Sequence, residues 1–491
     1  MNSSSTWEER VLYLSGEIYN HTLPYTSLIG EPIAPIFQPF YDGLDALANT
    51  MGLTSGSIMY IVFLVMSFPL GIITRYLPTG NTRHVFSLFW GVLFSFVAFK
   101  WLAIHSIIQP LVVYFVLMCT TSHHTCSHLY RMTVDYGGWT LDFSTLQMLC
   151  TLKTISVAFN YSDGGRSAPK TDNPEALKAF ATFKRNSIDR VPNPLEYFGH
   201  LFFFPSVISG PIHEFTAYKR WANSKDLPVE VPLVLKKVSL SLLNIAIFVL
   251  VAPYFTRANL VEPTLSQLTF LEKVFYTVGA TTFCRTKYYV AWFLGEGACI
   301  AAGFGYNPEK NNWTDIEQAH FRHVEFGTTI RELIAGWNIG VSKWLRNYVY
   351  SRVRSQKLFF TFLISAFWHG LYPGYYLMWI CFSIASSVHR TLHKRLRPII
   401  FQNSKDHPED LSREPFVVKA IYHAGAFVLT HLAFSYFAAS FHILDLKESM
   451  HWYKEMYFCG HIGLLLYYVI ANALPQPPRK PVVVEETKKT K

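Results

Sequence analysis

Charged residues are scarce in this chain. Of its 491 residues 15% are charged, 50% are hydrophobic and 16% are aromatic, whereas soluble proteins carry about 25% charged residues. This composition indicates a polytopic membrane protein. The net charge of +10 does not indicate a nucleic-acid partner, because the basic residues stand in short loops between apolar runs, where membrane orientation accounts for them.

Other familiar patterns are also missing. No basic segment followed by a short apolar core opens the chain, so we predict no cleavable signal peptide, and the first span must direct insertion. The seven cysteines show no CxxC pairing, which predicts thiols in apolar cores and neither a zinc site nor a disulfide framework. No repeat with a period of about 20 to 50 residues is visible.

The apolar runs predict an all-α polytopic membrane protein with about eleven transmembrane segments. We place these segments at residues 57–76, 85–99, 102–118, 123–134, 146–159, 195–212, 231–255, 270–304, 358–388, 415–441 and 457–474. The run 195–212 contains Pro205 and Gly210-Pro211, so we expect it to pack inside protein and not against lipid. The run 270–304 could form two short helices, and its Glu296 should face the interior, more readily as a structural residue than as a catalyst.

The chain divides into three regions. Residues 1–50 lean acidic and carry glycosylation sequons at Asn2 and Asn20, which favours a lumenal N-terminus. Residues 51–475 are the transmembrane domain. Residues 476–491 end in Lys-Lys-Thr-Lys, which resembles a dilysine retrieval signal, although any basic tail suits a cytosolic terminus. We expect a multi-pass protein of the endoplasmic reticulum membrane with a cytosolic C-terminus.

One uncharged run, residues 358–388, holds a single histidine, His369. As one helix it would measure roughly 46 Å against about 30 Å of hydrocarbon, so we predict that it is bent or split. Gly370, Pro373 and Gly374 mark the expected break. A titratable group beside a helix break deep in an apolar segment needs a protein-lined or watered cavity. His369 is therefore a candidate active-site residue.

A polar amide, Asn338, stands 31 residues before this histidine, at the start of a basic, amphipathic stretch. The basic side chains of the stretch could line a cytosolic rim suited to phosphates, and its tryptophans could face the membrane boundary. The candidate binding residues here are Trp337, Lys343, Trp344 and Arg346. Composition alone fits equally well a membrane-surface helix that is capped by the asparagine.

The Trp-Asn at residues 337–338 and the Phe-Trp-His-Gly at residues 367–370 together resemble the membrane-bound O-acyltransferase (MBOAT) family. Within that family the chain is most similar to the lysophospholipid acyltransferases of the endoplasmic reticulum, particularly the lysophosphatidylcholine type. Further stretches support the resemblance in the same order along the chain: residues 152–165, 204–211, 292–297, 366–374 and 457–462.

The resemblance implies broken and tilted helices around a central reaction chamber, in which Asn338 and His369 form the active site. It implies transfer of a long-chain, polyunsaturated acyl group from acyl-CoA to the sn-2 hydroxyl of lysophosphatidylcholine, with lysophosphatidylethanolamine and lysophosphatidylserine as further acceptors. His369 would act as the base, since an imidazole titrates near neutral pH. Asn338 would stabilise charge on the thioester oxygen or orient the hydroxyl or the imidazole. Trp368 joins the candidate binding residues.

The implied partners are acyl-CoA, a lysophospholipid and the bilayer. We expect no metal and no bound cofactor, because a thioester is already activated and acyl-CoA is a substrate. The oligomeric state is open, and a dimer is one alternative.

Two other classes fit parts of the sequence. Membrane di-iron desaturases use histidine clusters, and this chain has 19 histidines, among them His389 and His393 on one helical face. The doubled histidine pairs that such sites need are missing. A transporter or channel would suit the spans and the broken segments, but there is little midplane charge beyond Glu296 and no inverted repeat is visible.

Overall fold

The computed structural model describes residues 34–116, 143–403 and 411–476. In these residues the regular structure is helical, and no β-strand occurs beyond one isolated bridge. The first helices are α1 Ala34–Met51, α2 Ser55–Thr74, α3 Asn81–Phe99, α4 Ala103–Val116, α5 Phe143–Gly164, α6 Pro174–Asn186, α7 Pro194–Leu201, α8 Phe215–Asn223 and α9 Val231–Leu250. The others are α10 Phe270–Phe283, α11 Arg285–Ala301, α12 Phe321–Glu325, α13 Ile330–Gly336, α14 Ile339–Leu345, α15 Lys357–His369, α16 Pro373–Ile400, α17 Phe416–Ile443, α18 Leu446–Glu455 and α19 Cys459–Ala473.

Several predictions fall outside the described residues. These are the two glycosylation sequons, the weak span at 123–134 and the dilysine tail. The end of the predicted N-terminal region is described, because α1 packs Leu44 and Ala48 against Ile58 of α2.

Four helices of the described residues are long and apolar enough to cross a membrane. They are α2, α3, α9 extended to Tyr254, and α17. The helices α18 and α19 meet at a bend of 71° and count as a fifth span if the pair is taken together. The four helices and α19 coincide with predicted apolar runs, which confirms a multi-pass membrane protein, whereas α18 precedes the run predicted at 457–474. The count of about eleven remains a prediction.

The interrupted run at 195–212 packs inside the protein, as predicted. Helix α7 begins with a capping box between Asn193 and Glu196 and ends at Leu201, after which Phe202 and the following residues are buried without regular structure. The ammonium group of Lys153, 1% exposed, donates to the carbonyls of His200 and Leu201, each at 3.2 Å. Carbonyl groups freed at the helix end are therefore paired within the protein.

The structure bears on two further predictions. The run 270–304 forms two helices, α10 and α11, that meet at Cys284. The expectation of core thiols is wrong for Cys459, which is exposed, whereas Cys150 and Cys299 are buried.

Candidate active site

A large cavity, here called the chamber, lies in the second half of the chain. Its volume is about 2350 Å³, and its walls come from the α10–α11 junction and from α13 to α17. Pockets for drug-sized ligands measure about 300–1,000 Å³, so the chamber has room for lipid-sized molecules. Asn338 and His369 both line it.

His369 is the last residue of α15, at the break in the central run. Gly370 follows with φ of 143°, a backbone conformation that favours glycine. Pro373 opens α16 at a position that tolerates proline. The amide of Gly374 donates to the carbonyl of Leu444, which follows α17, at 2.8 Å. The prediction of a break at these glycines and this proline is confirmed.

Aromatic rings surround the imidazole of His369 in what we call the aromatic box. The ring centroids of Trp368, Phe441, Trp379 and Tyr375 lie 4.8, 5.3, 5.7 and 5.8 Å from that of His369. Trp379 stacks on the imidazole with an interplanar angle of 28°, and Phe441 meets it edge-on at 85°. Such packing fixes the plane of the imidazole and keeps apolar surface around it.

Asn338 adopts a left-handed backbone conformation, with φ of 46° and ψ of 54°. Asparagine tolerates this region better than most residues. Its carbonyl accepts from the amide of Ser342 at 2.9 Å, but its side chain makes no capping hydrogen bond to α14. The interpretation of Asn338 as a helix-capping side chain is therefore wrong, and its amide group is not committed to that role.

A buried chain of contacts, the Glu296 relay, holds the start of α14. The backbone N–H of Ile339 donates to the backbone carbonyl of Gln318 at 2.8 Å. The backbone N–H of Gln318 donates in turn to Oε1 of Glu296 at 2.7 Å. The other carboxylate oxygen of Glu296 pairs with Lys237 of α9. Glu296 is 1% exposed, which confirms the prediction that it faces the interior.

The structure brings four of the predicted site residues to the chamber wall. These are Trp337, Asn338, Arg346 and His369. Trp337 also packs against Trp292, with 4.7 Å between ring centroids.

The other three predicted residues, Lys343, Trp344 and Trp368, do not line the chamber. The ammonium group of Lys343 donates to the carbonyl of Thr314 at 3.0 Å. The indole nitrogens of Trp344 and Trp368 donate to backbone carbonyls of α5, at 3.0 and 3.1 Å. For Lys343 and Trp344 the reason is helical geometry, because residues 338, 341, 342 and 345 share the chamber face of α14 and its other side points away.

Basic side chains dominate another part of the chamber wall. Most come from the second half of α16: His389, Arg390, His393, Lys394, Arg395 and Arg397. Arg395 has a structural role, since it donates to the carbonyls of Ala471 and Leu474 at the end of α19. We call Arg390, Lys394 and Arg397 the cation cluster. Glu332 is the sole acidic residue among those that line the chamber in the described chain.

An ion pair holds the segment after α14 against α5. Nη1 and Nη2 of Arg352 donate to the carboxylate of Asp163, at 3.1 and 2.6 Å, and Asp163 is 1% exposed. The same guanidinium lies between the rings of Phe159 and Phe183, at 4.3 and 4.2 Å. Arg166 also pairs with Asp163, at 2.9 Å. Residues 160–165, the end of the stretch 152–165 that supports the family resemblance, therefore act here as an anchor.

A second polar contact reinforces this anchor. The hydroxyl of Tyr348 lies 2.8 Å from Oδ1 of Asn160 and 2.7 Å from Oε2 of Glu214. Burial raises the pKa of the Glu214 carboxyl, and the hydrogen bonds from Tyr348 and Asn160 oppose this shift.

The stretch at 457–462 is also structural. Tyr457 and Phe458 have φ values of 51° and 48° at the bend between α18 and α19. A Cβ at Gly460 would lie 2.2 Å from the ring of Tyr436, and Nδ1 of His461 lies 2.9 Å from the Tyr436 hydroxyl. The bend thus packs against α17, which supplies Phe441 to the aromatic box.

A model of the MBOAT, membrane-bound O-acyltransferase, family matches residues 129–439. The chain belongs to this family. A lysophospholipid acyltransferase of Schizosaccharomyces pombe is 29% identical over 388 residues, covering 74% of this chain and 72% of that protein. The human membrane-bound glycerophospholipid O-acyltransferase 1 is 27% identical, covering 91% and 96%. Lysophospholipid acyltransferase 2 of Arabidopsis thaliana is 24% identical, covering 90% and 99%.

Membership in the O-acyltransferase family decides against the transporter, channel and desaturase alternatives. Closely spaced histidines, the feature that suggested a desaturase, have other surroundings. The rings of His320 and His323 stack on each other at 3.8 Å, and that of His389 stacks on Tyr467 at 6.4 Å. Among the described residues, no group of three or more His, Cys, Asp or Glu side chains is placed to hold a metal ion.

Sequence reasoning missed Tyr375, Trp379, Phe441 and the cation cluster. The aromatic residues stand in apolar runs where most neighbours are also large and apolar, so nothing local distinguished them. The cation cluster had a detectable signal, since Arg390, Lys394 and Arg397 recur at helical spacing directly after an uncharged run.

The first prediction concerns the position of Asn338. A Cβ at Gly340 would lie 2.5 Å from Cγ2 of Ile212 and 2.6 Å from Oε1 of Gln318. Gly340→Ala should therefore displace the Glu296 relay and lower acyl transfer about 10- to 100-fold, because small misplacements near a reacting centre are costly. Gly165→Ala is the control, since its Cβ meets nothing within 4 Å. Equal activity in both variants would contradict this role.

The second prediction concerns the anchor. Lysine can neither form a bidentate ion pair with Asp163 nor stack a planar group on the phenylalanine rings. Arg352→Lys should therefore lower the thermal midpoint of unfolding of the detergent-solubilised protein by several degrees. Arg354→Lys, which changes an exposed neighbour, should leave the midpoint unchanged. Indistinguishable melting of the two variants would show that the Asp163 pair does not stabilise the fold.

Proposed function

We propose that this O-acyltransferase transfers a long-chain acyl group from acyl-CoA to the sn-2 hydroxyl of a lysophospholipid. The observation that carries the proposal is the chamber, which is lined both by Asn338 and His369 and by a cluster of cations. The curated relatives are named as lysophospholipid or glycerophospholipid acyltransferases, which supports a lysophospholipid as the acceptor.

The spacing along α16 supports acyl-CoA as the donor. Trp379, which stacks on His369, precedes Arg390 by 11 residues and Arg397 by 18, which is roughly 16 to 27 Å along a helix. A lysophospholipid phosphate lies only a few bonds from the reacting hydroxyl, so it cannot reach the cation cluster while that hydroxyl is at His369. The pantetheine arm of acyl-CoA places a long chain between the thioester and the diphosphate, so the cluster suits the donor.

The chemistry needs a base and a donor of hydrogen bonds. In the proposed mechanism His369 takes the proton of the acceptor hydroxyl while the oxygen of that hydroxyl attacks the thioester carbonyl. The side-chain amide of Asn338 stabilises the charge that develops on the carbonyl oxygen. The tetrahedral intermediate then releases the CoA thiolate, which receives the proton from the imidazolium. A thioester is already activated, so this route requires neither a metal nor a bound cofactor.

The apolar part of the chamber suits the acyl chain. Phe362, Met378, Phe382, Phe434 and Ala438 line it and belong to one hydrophobic cluster with its packed neighbours. These side chains and the aromatic box would also limit hydrolysis of the thioester by keeping water from His369. We propose polyunsaturated acyl chains as donors, and lysophosphatidylcholine, lysophosphatidylethanolamine and lysophosphatidylserine as acceptors.

The proposal includes the location of the enzyme. It would be a multi-pass protein of the endoplasmic reticulum membrane with a lumenal N-terminus and a cytosolic C-terminus. Lys488 and Lys489, outside the described residues, would form its retrieval signal.

The third prediction tests the catalytic pair. His369→Ala should lower acyl transfer about 10²- to 10⁴-fold, as expected for loss of a general base. Asn338→Ala should lower it about 10²- to 10³-fold, as expected for loss of an oxyanion donor. The measurement is acyl-CoA-dependent acylation of lysophosphatidylcholine in microsomes at matched expression.

His423→Ala is the matched control, because His423 is exposed on α17 and lies outside the chamber. Its activity should equal that of the unaltered protein. Substantial activity in the His369 variant, with normal detergent extraction and elution, would overturn the mechanism.

The fourth prediction tests the cation cluster. The double change Arg390→Glu and Lys394→Glu should raise the KM for acyl-CoA at least about 10-fold, because charge-assisted contacts to phosphate are replaced by repulsion. The KM for the lysophospholipid should stay the same. Lys178→Glu is the control, since Lys178 is exposed on α6. An equal rise of both KM values would refute the assignment of the cluster to the donor.

A further inference from the structure

Three aromatic side chains of the chamber wall form a cluster that takes no part in the proposed proton transfer. They are Tyr288, Trp292 and Trp337, and we call them the aromatic corner. The ring centroid of Trp337 lies 4.7 Å from that of Trp292 and 5.6 Å from that of Tyr288. Trp337 and Tyr288 are half-buried and line the chamber, so part of each ring is open to it.

The rings of the aromatic corner meet at steep angles. Trp337 is inclined by 65° to Trp292 and by 77° to Tyr288, so the faces of neighbouring rings enclose a corner beside each contact. An aromatic face attracts cations, and a cation in such a corner meets this attraction from two sides. One ring already carries a cation of the protein itself, since Nζ of Lys287 lies 5.2 Å from the centroid of Tyr288.

Two connections place the aromatic corner beside the catalytic pair. Trp337 directly precedes Asn338 in the chain. On the other side, Cys284 precedes the tyrosine of the corner by one helical turn, and its Sγ lies 3.3 Å from Nε2 of His442. His442 follows Phe441, which packs against the imidazole of the catalytic histidine. A group that is bound in the corner is therefore close to the reacting atoms.

The chemistry of this wall suits a quaternary ammonium better than a primary one. A primary ammonium group donates three hydrogen bonds and is strongly hydrated, so it needs acceptor oxygens in a binding site. A quaternary ammonium group has no N–H and binds through aromatic faces. The carboxylate of Glu332, the acidic residue of the chamber wall in the described chain, already accepts from the backbone N–H of Thr328 at 2.8 Å. The corner itself offers aromatic surface.

We propose that the aromatic corner binds the choline group of lysophosphatidylcholine. Trp337 is the main contact, because Lys287 already lies over the ring of Tyr288. Only a few bonds separate the choline nitrogen from the sn-2 hydroxyl, which matches a site next to Asn338 and not one at the cation cluster. The corner would thereby favour choline over ethanolamine and serine head groups. This inference rests on the proposed function, because it takes a lysophospholipid as the acceptor.

The test compares two acceptors with the full-length enzyme, purified in detergent, and long-chain acyl-CoA as the donor. One acceptor is lysophosphatidylcholine, and the other is its neutral isostere, in which carbon replaces the choline nitrogen. For the unaltered enzyme the KM for lysophosphatidylcholine should be about 3- to 30-fold lower than that for the isostere, because only the charged group gains a cation–π contact. Trp337→Leu should abolish this difference by raising the KM for lysophosphatidylcholine alone, whereas Trp337→Phe should keep part of it.

Tyr350→Leu is the matched control, because Tyr350 lines the chamber but lies near Lys357, away from Asn338. It should keep the ratio of the two KM values. A mere displacement of Asn338 in the Trp337 variants would lower kcat with both acceptors and leave that ratio unaltered, and this result would overturn the inference.

Two further outcomes would also overturn it. They are equal KM values for the two acceptors in the unaltered enzyme, and an equal loss of the difference in Tyr350→Leu. In each of these cases an enzyme that still acylates lysophosphatidylcholine leaves the proposed function standing, so the inference alone fails. If the unaltered protein acylates no lysophospholipid, the proposed function fails as well.

Discussion

A helix that breaks within an apolar segment frees backbone groups that water cannot reach, and the protein itself must then pair them. Here the break lies between α15 and α16, and the amide of Gly374 is paired with the carbonyl of Leu444. That hydrogen bond joins the break to the end of α17. Phe441 stands three residues before Leu444, so the contact that satisfies the backbone also brings Phe441 against His369. The aromatic box is thus a consequence of how the break is closed.

Asn338 is positioned by a separate set of contacts. Its left-handed conformation is uncommon for a residue with a side chain, and it persists because α14 is fixed on both sides. The Glu296 relay holds the first amide of the helix. The pair of Arg352 with Asp163 holds the segment that follows it. A donor held by its surroundings in this way needs little reorganisation when charge develops on a substrate.

Local sequence predicted the elements of the site better than their orientation. The glycines and the proline at 370–374 disrupt a helix wherever they occur, so the break after His369 was predictable. Trp344 and Trp368 are direct neighbours of chamber residues, yet their indoles bond to carbonyls of α5, because a step of one residue turns a helical side chain by roughly 100°. The partners of His369 come from α16 and α17, and only tertiary packing identifies Trp379 and Phe441 among many similar apolar residues.

Helix α16 is long enough to reach from the hydrocarbon of the bilayer into the aqueous phase. Its 28 residues span roughly 42 Å, about 12 Å more than the hydrocarbon of a bilayer. The helix is uncharged up to Val388, and the cation cluster lies in its second half. A helix with this pattern places its basic end beyond the hydrocarbon and its aromatic end within it. On the proposed function, a donor with a water-soluble head and an apolar chain needs both environments along one wall, and α16 supplies them.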